Sequence, residues 1–217
     1  DADADNDNNS CCSKTRQTMM MARNHCPNRT VLGILNRHGC MAEYITLPVR
    51  NLHVVPDHVS DQTAVFAEPL AAACRIPEQG LIETGDKVAI LGDGKLGLMI
   101  AEVVGRLYLD HCRERESRES SGSSNGTPSS AAEAYQRPIL FGKHQHKLDL
   151  VQESGVETRL VSECRDQEAP DGGLPISSPH AGKFDVVIDA TGSPGGLSLA
   201  ASLCRPMGTL CLKSTCA

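Results

Sequence analysis

The stretch VAILGDGKLGLMIAEV, residues 88–103, decides the fold. It opens with a short apolar run, passes through the pattern G-x-G-x-x-G at Gly92, Gly94 and Gly97, and continues with apolar residues at helical spacing. A continuous apolar run in front of a glycine-rich turn is typical of a parallel strand that is covered on both faces. The stretch therefore predicts a strand, a tight turn and a helix that follows directly.

The alternation of strand and helix continues from there towards the carboxyl end. Strands are predicted at 87–92, 138–142, 157–161, 184–192 and 209–215, and helices at 95–109, 144–154 and 194 to about 204. Alternation of this kind means a parallel sheet with crossover helices. The predicted fold class is α/β, with a Rossmann-type parallel sheet domain.

The segments before the sheet have a different character. Residues 1–10 are acidic and polar and predict a solvated tail, whereas residues 31–56 are rich in β-branched residues and predict short strands and turns. From Ser60 the chain is Ala-rich and predicts helix, with Ser60 or Asp61 as the N-cap and a kink or break at Pro69. We place the domains at 11–62 and 63–217, with surface insertions near 110–135 and 162–183.

Composition excludes several classes of function. The chain has 217 residues, a net charge of -6 and only 3% aromatic residues, which argues against nucleic-acid or anionic-membrane partners. No apolar run approaches the roughly 18 residues of a membrane span. Ten cysteines occur without a recognisable signal peptide, and several lie in apolar segments, so we expect a reducing, cytoplasmic location.

The glycine pattern predicts a dinucleotide site. Gly92 permits a tight turn, Gly94 lets the backbone approach a pyrophosphate, and Gly97 allows the helix to pack closely on the strand. Lys95 and Leu96 begin the helix, whose free N–H groups attract phosphate. An ordinary glycine turn between strand and helix is the alternative.

The end of the second predicted strand bears on the choice of cofactor. An Asp or Glu there would hold the ribose 2′-OH of NAD, but this strand ends in Gly142, followed by Lys143 and His144. Lys143 could pair with a 2′-phosphate, so the sequence favours NADP over NAD. The alternative is that Lys143 and His144 are solvated residues at a helix start.

Several further segments resemble the medium-chain dehydrogenase/reductase superfamily, the zinc-type alcohol, polyol and threonine dehydrogenases. The matching segments are HCPNRTVLGI (25–34), GCMAEYITLP (39–48), VPDHVSDQTAVFAEPLAAA (55–73), VAILGDGKLGLMIAEV (88–103), DVVIDATGSPGG (185–196) and RPMGTLCLKST (205–215). The resemblance implies part of a β-rich GroES-like catalytic domain in front of the dinucleotide domain. It also implies hydride transfer between NAD(P) and a small alcohol or carbonyl substrate, a cofactor contact at Ala190, Thr191 and Gly192, and a zinc-site role for Glu68.

The sequence departs from the family pattern at its metal sites and at both ends. The family's Cys and His zinc ligands and its G-H-E motif are absent, and the structural zinc positions hold Cys12, Thr15, Thr18 and Cys26. Thr cannot replace a thiolate ligand, so we expect no structural zinc and a mobile lobe at residues 11–25. Compared with the family pattern, the chain is expected to be truncated at both ends and to lack the family's last strand. The formation of a family-type homodimer is therefore left open.

Three interpretations follow. The chain is an alcohol dehydrogenase-like oxidoreductase, or a catalytically incomplete dinucleotide-binding fragment without a functional zinc site, or a truncated product that does not fold alone. The sequence does not identify the substrate. We expect cofactor binding without zinc-dependent alcohol oxidation.

Overall fold

The computed structural model describes residues 26–120, 135–164 and 179–213. The chain divides into two compact units, Asp1–Pro56 and Asp57–Ala217. The predicted acidic tail and the zinc lobe at 11–25 lie outside the described residues, as do most of the two predicted insertions.

In the first unit, residues 26–56 consist of turns. They contain a 3-10 helix, Val49–Asn51, and one antiparallel bridge between Val31 and Leu35. No strand forms within residues 26–56, so the prediction of short strands is wrong for this segment. A strand needs neighbours along its length, and here the apolar side chains such as Met41 and Val54 are fully exposed instead.

Two helices open the second unit. Helix α1 is Asp61–Ala64, and helix α2 is Ala67–Glu78. The Ser60 hydroxyl accepts a hydrogen bond from the Thr63 N–H at 3.3 Å, which confirms the predicted N-cap. The predicted break is also present, but it precedes Pro69, which lies in the first turn of α2, where a missing N–H leaves no hydrogen bond unmade.

The second unit contains a five-stranded parallel sheet. The elements in chain order are β1 Val88–Leu91, α3 Lys95–Ser120, β2 Ile139–Gly142, α4 Gln145–Leu148, β3 Glu157–Leu160, β4 Phe184–Asp189, α5 Pro194–Leu203 and β5 Cys204–Leu212. The strand order in the sheet is β3-β2-β1-β4-β5, in which the direction of winding reverses between β1 and β4. This arrangement confirms the α/β fold class and the Rossmann-type sheet.

The core lies on both faces of this sheet because successive side chains of a strand point in opposite directions. Val88 and Ile90 of β1 pack on one face with residues of α2 and α3, among them Ile76 and Ile100. Ala89 and Leu91 pack on the other face against α5. The run of apolar residues in β1 therefore reflects a strand that is buried on both sides.

Several element boundaries differ from the prediction. The helix predicted at 144–154 is Gln145–Leu148 followed by a 3-10 helix, Asp149–Val151, and the strand predicted at 184–192 ends at Asp189. Helix α3 continues through residues 113–120, where the sequence predicts a surface insertion. An ion pair of 2.8 Å between Arg113 and Asp110 supports this polar extension. Strand β5 begins at Cys204 rather than at 209. The chain accommodates Pro206 and Gly208 in an irregular stretch of the strand, where Met207 takes a φ of 63°.

Candidate functional site

A cavity of about 340 Å³ lies at the carboxyl ends of β1, β2 and β4. Its lining comes from the turn after β1, the end of β2 and the turn between β4 and α5, and includes Gly92, Asp93, Gly94, Lys143, Thr191 and Ser193. The cavity coincides with the reversal of winding in the sheet. Open parallel sheets bind their ligands at this point.

The three glycines after β1 have separate structural roles. Gly92 has a φ of 107°, and an added Cβ would lie 2.8 Å from the Ala190 carbonyl oxygen. An added Cβ on Gly97 would overlap the carbonyl of Gly92. A Cβ added to Gly94 would meet no atom within 4 Å, so the backbone of this residue is open to the cavity. The loop is thus tight at Gly92 and Gly97 and accessible at Gly94.

Two helices begin at this cavity. Helix α3 starts at Lys95, directly after the loop, and has no acidic residue in its first turn. Helix α5 starts at Pro194 and is capped by the Ser193 hydroxyl, which accepts a hydrogen bond from the Gly196 N–H at 3.2 Å. The amino end of a helix carries a partial positive charge and unpaired N–H groups, which favours an anionic ligand.

A buried carboxylate shapes the turn after β4. Asp189 is 1% exposed, and its Oδ1 accepts hydrogen bonds from the Thr191 N–H at 2.9 Å and from the Thr191 hydroxyl at 2.7 Å. Gly192 follows with a φ of 67°. These interactions fix Ala190 and Thr191 at the cavity wall.

Asp93 was not singled out from the sequence, yet it is the most connected side chain of the loop. It is 8% exposed, and its Oδ2 accepts hydrogen bonds from the backbone N–H groups of Lys143 at 2.9 Å and His144 at 2.7 Å. The His144 Nδ1 lies 2.8 Å from the same oxygen. The available signal was a carboxylate inside a loop that was predicted to bind phosphate.

The pKa of Asp93 is held below its ordinary value. Burial of the carboxyl group acts in the opposite direction and would raise the pKa. The hydrogen bonds from the His144 ring and from the backbone N–H groups of His144 and Lys143 stabilise the ionised form and outweigh burial. Asp93 is therefore an anion at neutral pH.

The structure places five of the ten predicted cofactor residues on the cavity wall. Gly92, Gly94, Lys143, Ala190 and Thr191 line the cavity. The other predicted residues surround it without lining it: Lys95 and Leu96 begin α3, Gly97 packs under the loop, His144 bonds to Asp93, and Gly192 shapes the turn after β4.

Glu68, the predicted metal residue, lies in the first turn of α2 and is exposed. It does not line the cavity. Within the described ranges, no three His, Cys, Asp or Glu side chains come close enough to hold a metal ion. The described residues thus do not supply a zinc ligand set. The same residues contain no helix with the length and apolar character that a membrane crossing requires.

Curated relatives match most of this chain. L-threonine 3-dehydrogenase from Legionella pneumophila strain Corby is 32% identical over 189 residues, which is 86% of this chain and 46% of the relative. L-threonine 3-dehydrogenase from Salmonella arizonae is 34% identical over 169 residues, or 78% of this chain and 40% of the relative. The chain spans about half the length of the curated relatives it matches.

Solved structures share the fold. An alcohol dehydrogenase (RspB) from Escherichia coli CFT073, complexed with NADH, aligns with a TM-score of 0.62 and 23% identity over 93% of this chain and 50% of that one. A zinc-binding dehydrogenase from Sinorhizobium meliloti 1021, bound to NADP, aligns with a TM-score of 0.61 and 24% identity. This alignment covers 94% of this chain and 52% of that one. No protein-family model matches the chain. The threonine dehydrogenase relatives and the Rossmann topology agree, and both support the assignment of this chain to the medium-chain dehydrogenase/reductase superfamily.

Proposed function

We propose that the second unit binds a nicotinamide dinucleotide in the cavity between β1 and β4, as part of an alcohol dehydrogenase-like oxidoreductase. The reaction would transfer a hydride between NAD(P) and a small alcohol or carbonyl compound. The relatives that span 86% and 78% of this chain are L-threonine 3-dehydrogenases, which supports this class of reaction.

The observation that carries the proposal is the open backbone at Gly94. The loop places this residue at the cavity and at the amino end of α3, and no atom within 4 Å fills the space that a side chain would take. A pyrophosphate needs such an uncovered backbone together with the positive end of a helix. The residues present therefore fit a dinucleotide.

The chain's own residues have three tasks at this site. The glycine loop and the start of α3 bind the pyrophosphate, and the turn held by Asp189 places Thr191 at the cavity wall. Leu91, Phe141 and Leu199 add apolar lining to the cavity. A bound nicotinamide would supply the hydride chemistry.

The test is a Gly94→Val substitution. A branched side chain at residue 94 would occupy the path of the pyrophosphate, so we expect NADH affinity to fall at least about tenfold while circular dichroism and thermal unfolding stay close to wild type. Binding is measured by titrating the 217-residue chain with NADH and following nicotinamide fluorescence.

Ala201→Val is the matched control. It adds bulk to an exposed position of α5 that does not line the cavity, and NADH affinity should be unchanged. Wild-type affinity in the Gly94→Val protein would show that the loop is only a turn and would overturn the proposal.

The alternative function is cofactor binding without catalysis. The absence of a metal-ligand set among the described residues favours it for the 217-residue chain. Steady-state oxidation of a panel of alcohols and polyols, with and without added zinc, separates the two. Zinc-dependent turnover by this chain would support the oxidoreductase, and cofactor binding without turnover would support the alternative.

Two features favour different cofactors. The Lys143 side chain carries the positive charge from which the sequence predicts NADP, and it is exposed. The Asp93 carboxylate lies in the same part of the cavity wall and is negative. Since an exposed charge is screened by water and salt, burial decides which of the two has the greater effect.

We further propose a cytoplasmic location. Six free thiols support it, those of Cys26, Cys40, Cys74, Cys112, Cys204 and Cys211. The family-type homodimer remains an open prediction. Strand β5 forms one outer edge of the described sheet, the position where a further strand would pair.

A further inference from the structure

The end of β2 lacks the carboxylate that would receive an adenosine ribose. In this fold, an Asp or Glu at that position accepts the 2′-OH of NAD. Here β2 ends at Gly142, and the nearest carboxylate belongs to the neighbouring loop, at Asp93. The two loops adjoin because β1 and β2 are paired, with Leu91 beside Phe141.

Asp93 and a side chain at position 142 compete for one space. An added Cβ on Gly142 would lie 2.9 Å from the Asp93 Cβ and 3.1 Å from its Oδ2. A carboxylate carried by β2 itself would overlap Asp93. The glycine at 142 thus makes room for a carboxylate that is delivered from β1 instead of β2.

The hydrogen bonds of Asp93 also remove the donors that a 2′-phosphate would use. The N–H groups of Lys143 and His144 point at its Oδ2. The other oxygen, Oδ1, accepts no hydrogen bond from the part of the chain that the structure describes. That oxygen can accept a hydrogen bond from a ribose hydroxyl.

The negative charge of Asp93 and its burial both disfavour a 2′-phosphate at this site. A 2′-phosphate brings about two negative charges at neutral pH. Asp93 is 8% exposed, so its field is weakly screened, whereas the Lys143 and His144 side chains are exposed to solvent. The repulsion between Asp93 and a 2′-phosphate therefore exceeds the attraction between Lys143 and that phosphate.

We infer that Asp93 determines the cofactor specificity of this site and selects NAD(H) against NADP(H). The inference rests on the proposed function, because it concerns the adenosine end of the same dinucleotide. It reverses the preference that the sequence predicted from Lys143.

The first experiment needs no variant. The wild-type chain is titrated with NADH and with NADPH by nicotinamide fluorescence, and bound NADH is displaced with 5′-AMP and with 2′,5′-ADP, which differ in the 2′-phosphate. We expect NADH to bind at least about tenfold more tightly than NADPH, and 5′-AMP to displace it more effectively than 2′,5′-ADP.

The second experiment changes the charge. Asp93→Asn keeps the shape and one acceptor oxygen, and we expect it to reduce the ratio of NADH to NADPH affinity about tenfold or more. The control Asp110→Asn makes the same charge change on an exposed part of α3 and should leave the ratio unchanged. In Lys143→Gln, we expect NADPH affinity to change by less than about threefold.

The outcomes separate the two claims. Equal binding of NADH and NADPH by the wild type, or an unaltered ratio in a folded Asp93→Asn protein, would overturn the specificity and leave the proposed function standing. A strong loss of NADPH binding in Lys143→Gln would return the preference to Lys143. If the wild type bound neither cofactor, the proposed function and the specificity would both be wrong.

Discussion

Gly97 is the residue at which the backbone of the glycine loop meets helix α3. An added Cβ would overlap the Gly92 carbonyl, so Gly97→Ala has to push the helix away from β1. We expect the free energy of unfolding to fall by about 1–3 kcal/mol. Gly94→Ala is the matched control, because its Cβ meets nothing, and we expect a change within about 0.5 kcal/mol. Urea unfolding measures both, and equal stability of the two variants would contradict the packing role of Gly97.

The glycines were predictable from the sequence, whereas Asp93 was not. Spacing alone places Gly92, Gly94 and Gly97. The fold excludes a side chain at Gly92 and Gly97, and Gly94 leaves its backbone open to the cavity. The role of Asp93 depends on a contact across 50 residues of sequence, with the N–H groups after β2. A single sequence predicts that two strands pair, but it does not give the direction of a side chain between them.

At the scale of elements, Ser193 is the cap on which the start of α5 depends. Its hydroxyl accepts a hydrogen bond from the Gly196 N–H, so Ser193→Ala removes the cap and leaves that N–H only its hydrogen bond to the Ser193 backbone carbonyl. We expect a loss of about 1 kcal/mol in the free energy of unfolding. Ser193→Asn restores a capping oxygen and should recover most of that loss. If the Asn and Ala variants were equally unstable, the cap would not be the cause.

Some helices and strands could be predicted from local sequence signals alone. The Ser-Pro pair at 193–194 predicted the start of α5, and the apolar runs predicted four of the five strands close to their limits. The sequence did not predict the helix at residues 113–120, because this part of the helix is polar and has no apolar periodicity. Strand β5 begins earlier than predicted, since its pairing with Phe184 outweighs the local preference of Pro206 and Gly208.

At the scale of the whole molecule, all the buried apolar residues that the structure describes belong to the second unit, from Ala73 to Cys211. Most apolar side chains of residues 26–56 are exposed, among them Met41 and Tyr44. The resemblance of this segment to the GroES-like domain was visible as sequence, but composition could not show that its residues form turns. Both parts of the chain match relatives of about twice its length.

The central claim is that the cavity between β1 and β4 holds the dinucleotide. Amide NMR spectra of the 217-residue chain, recorded as NAD is added, test it most directly. We predict saturable shifts at residues 92–97 and 190–196, with the N–H signals at the start of α3 among the largest, because these groups would contact the pyrophosphate. Shifts confined to other parts of the second unit, or no saturable shifts at all, would contradict the claim.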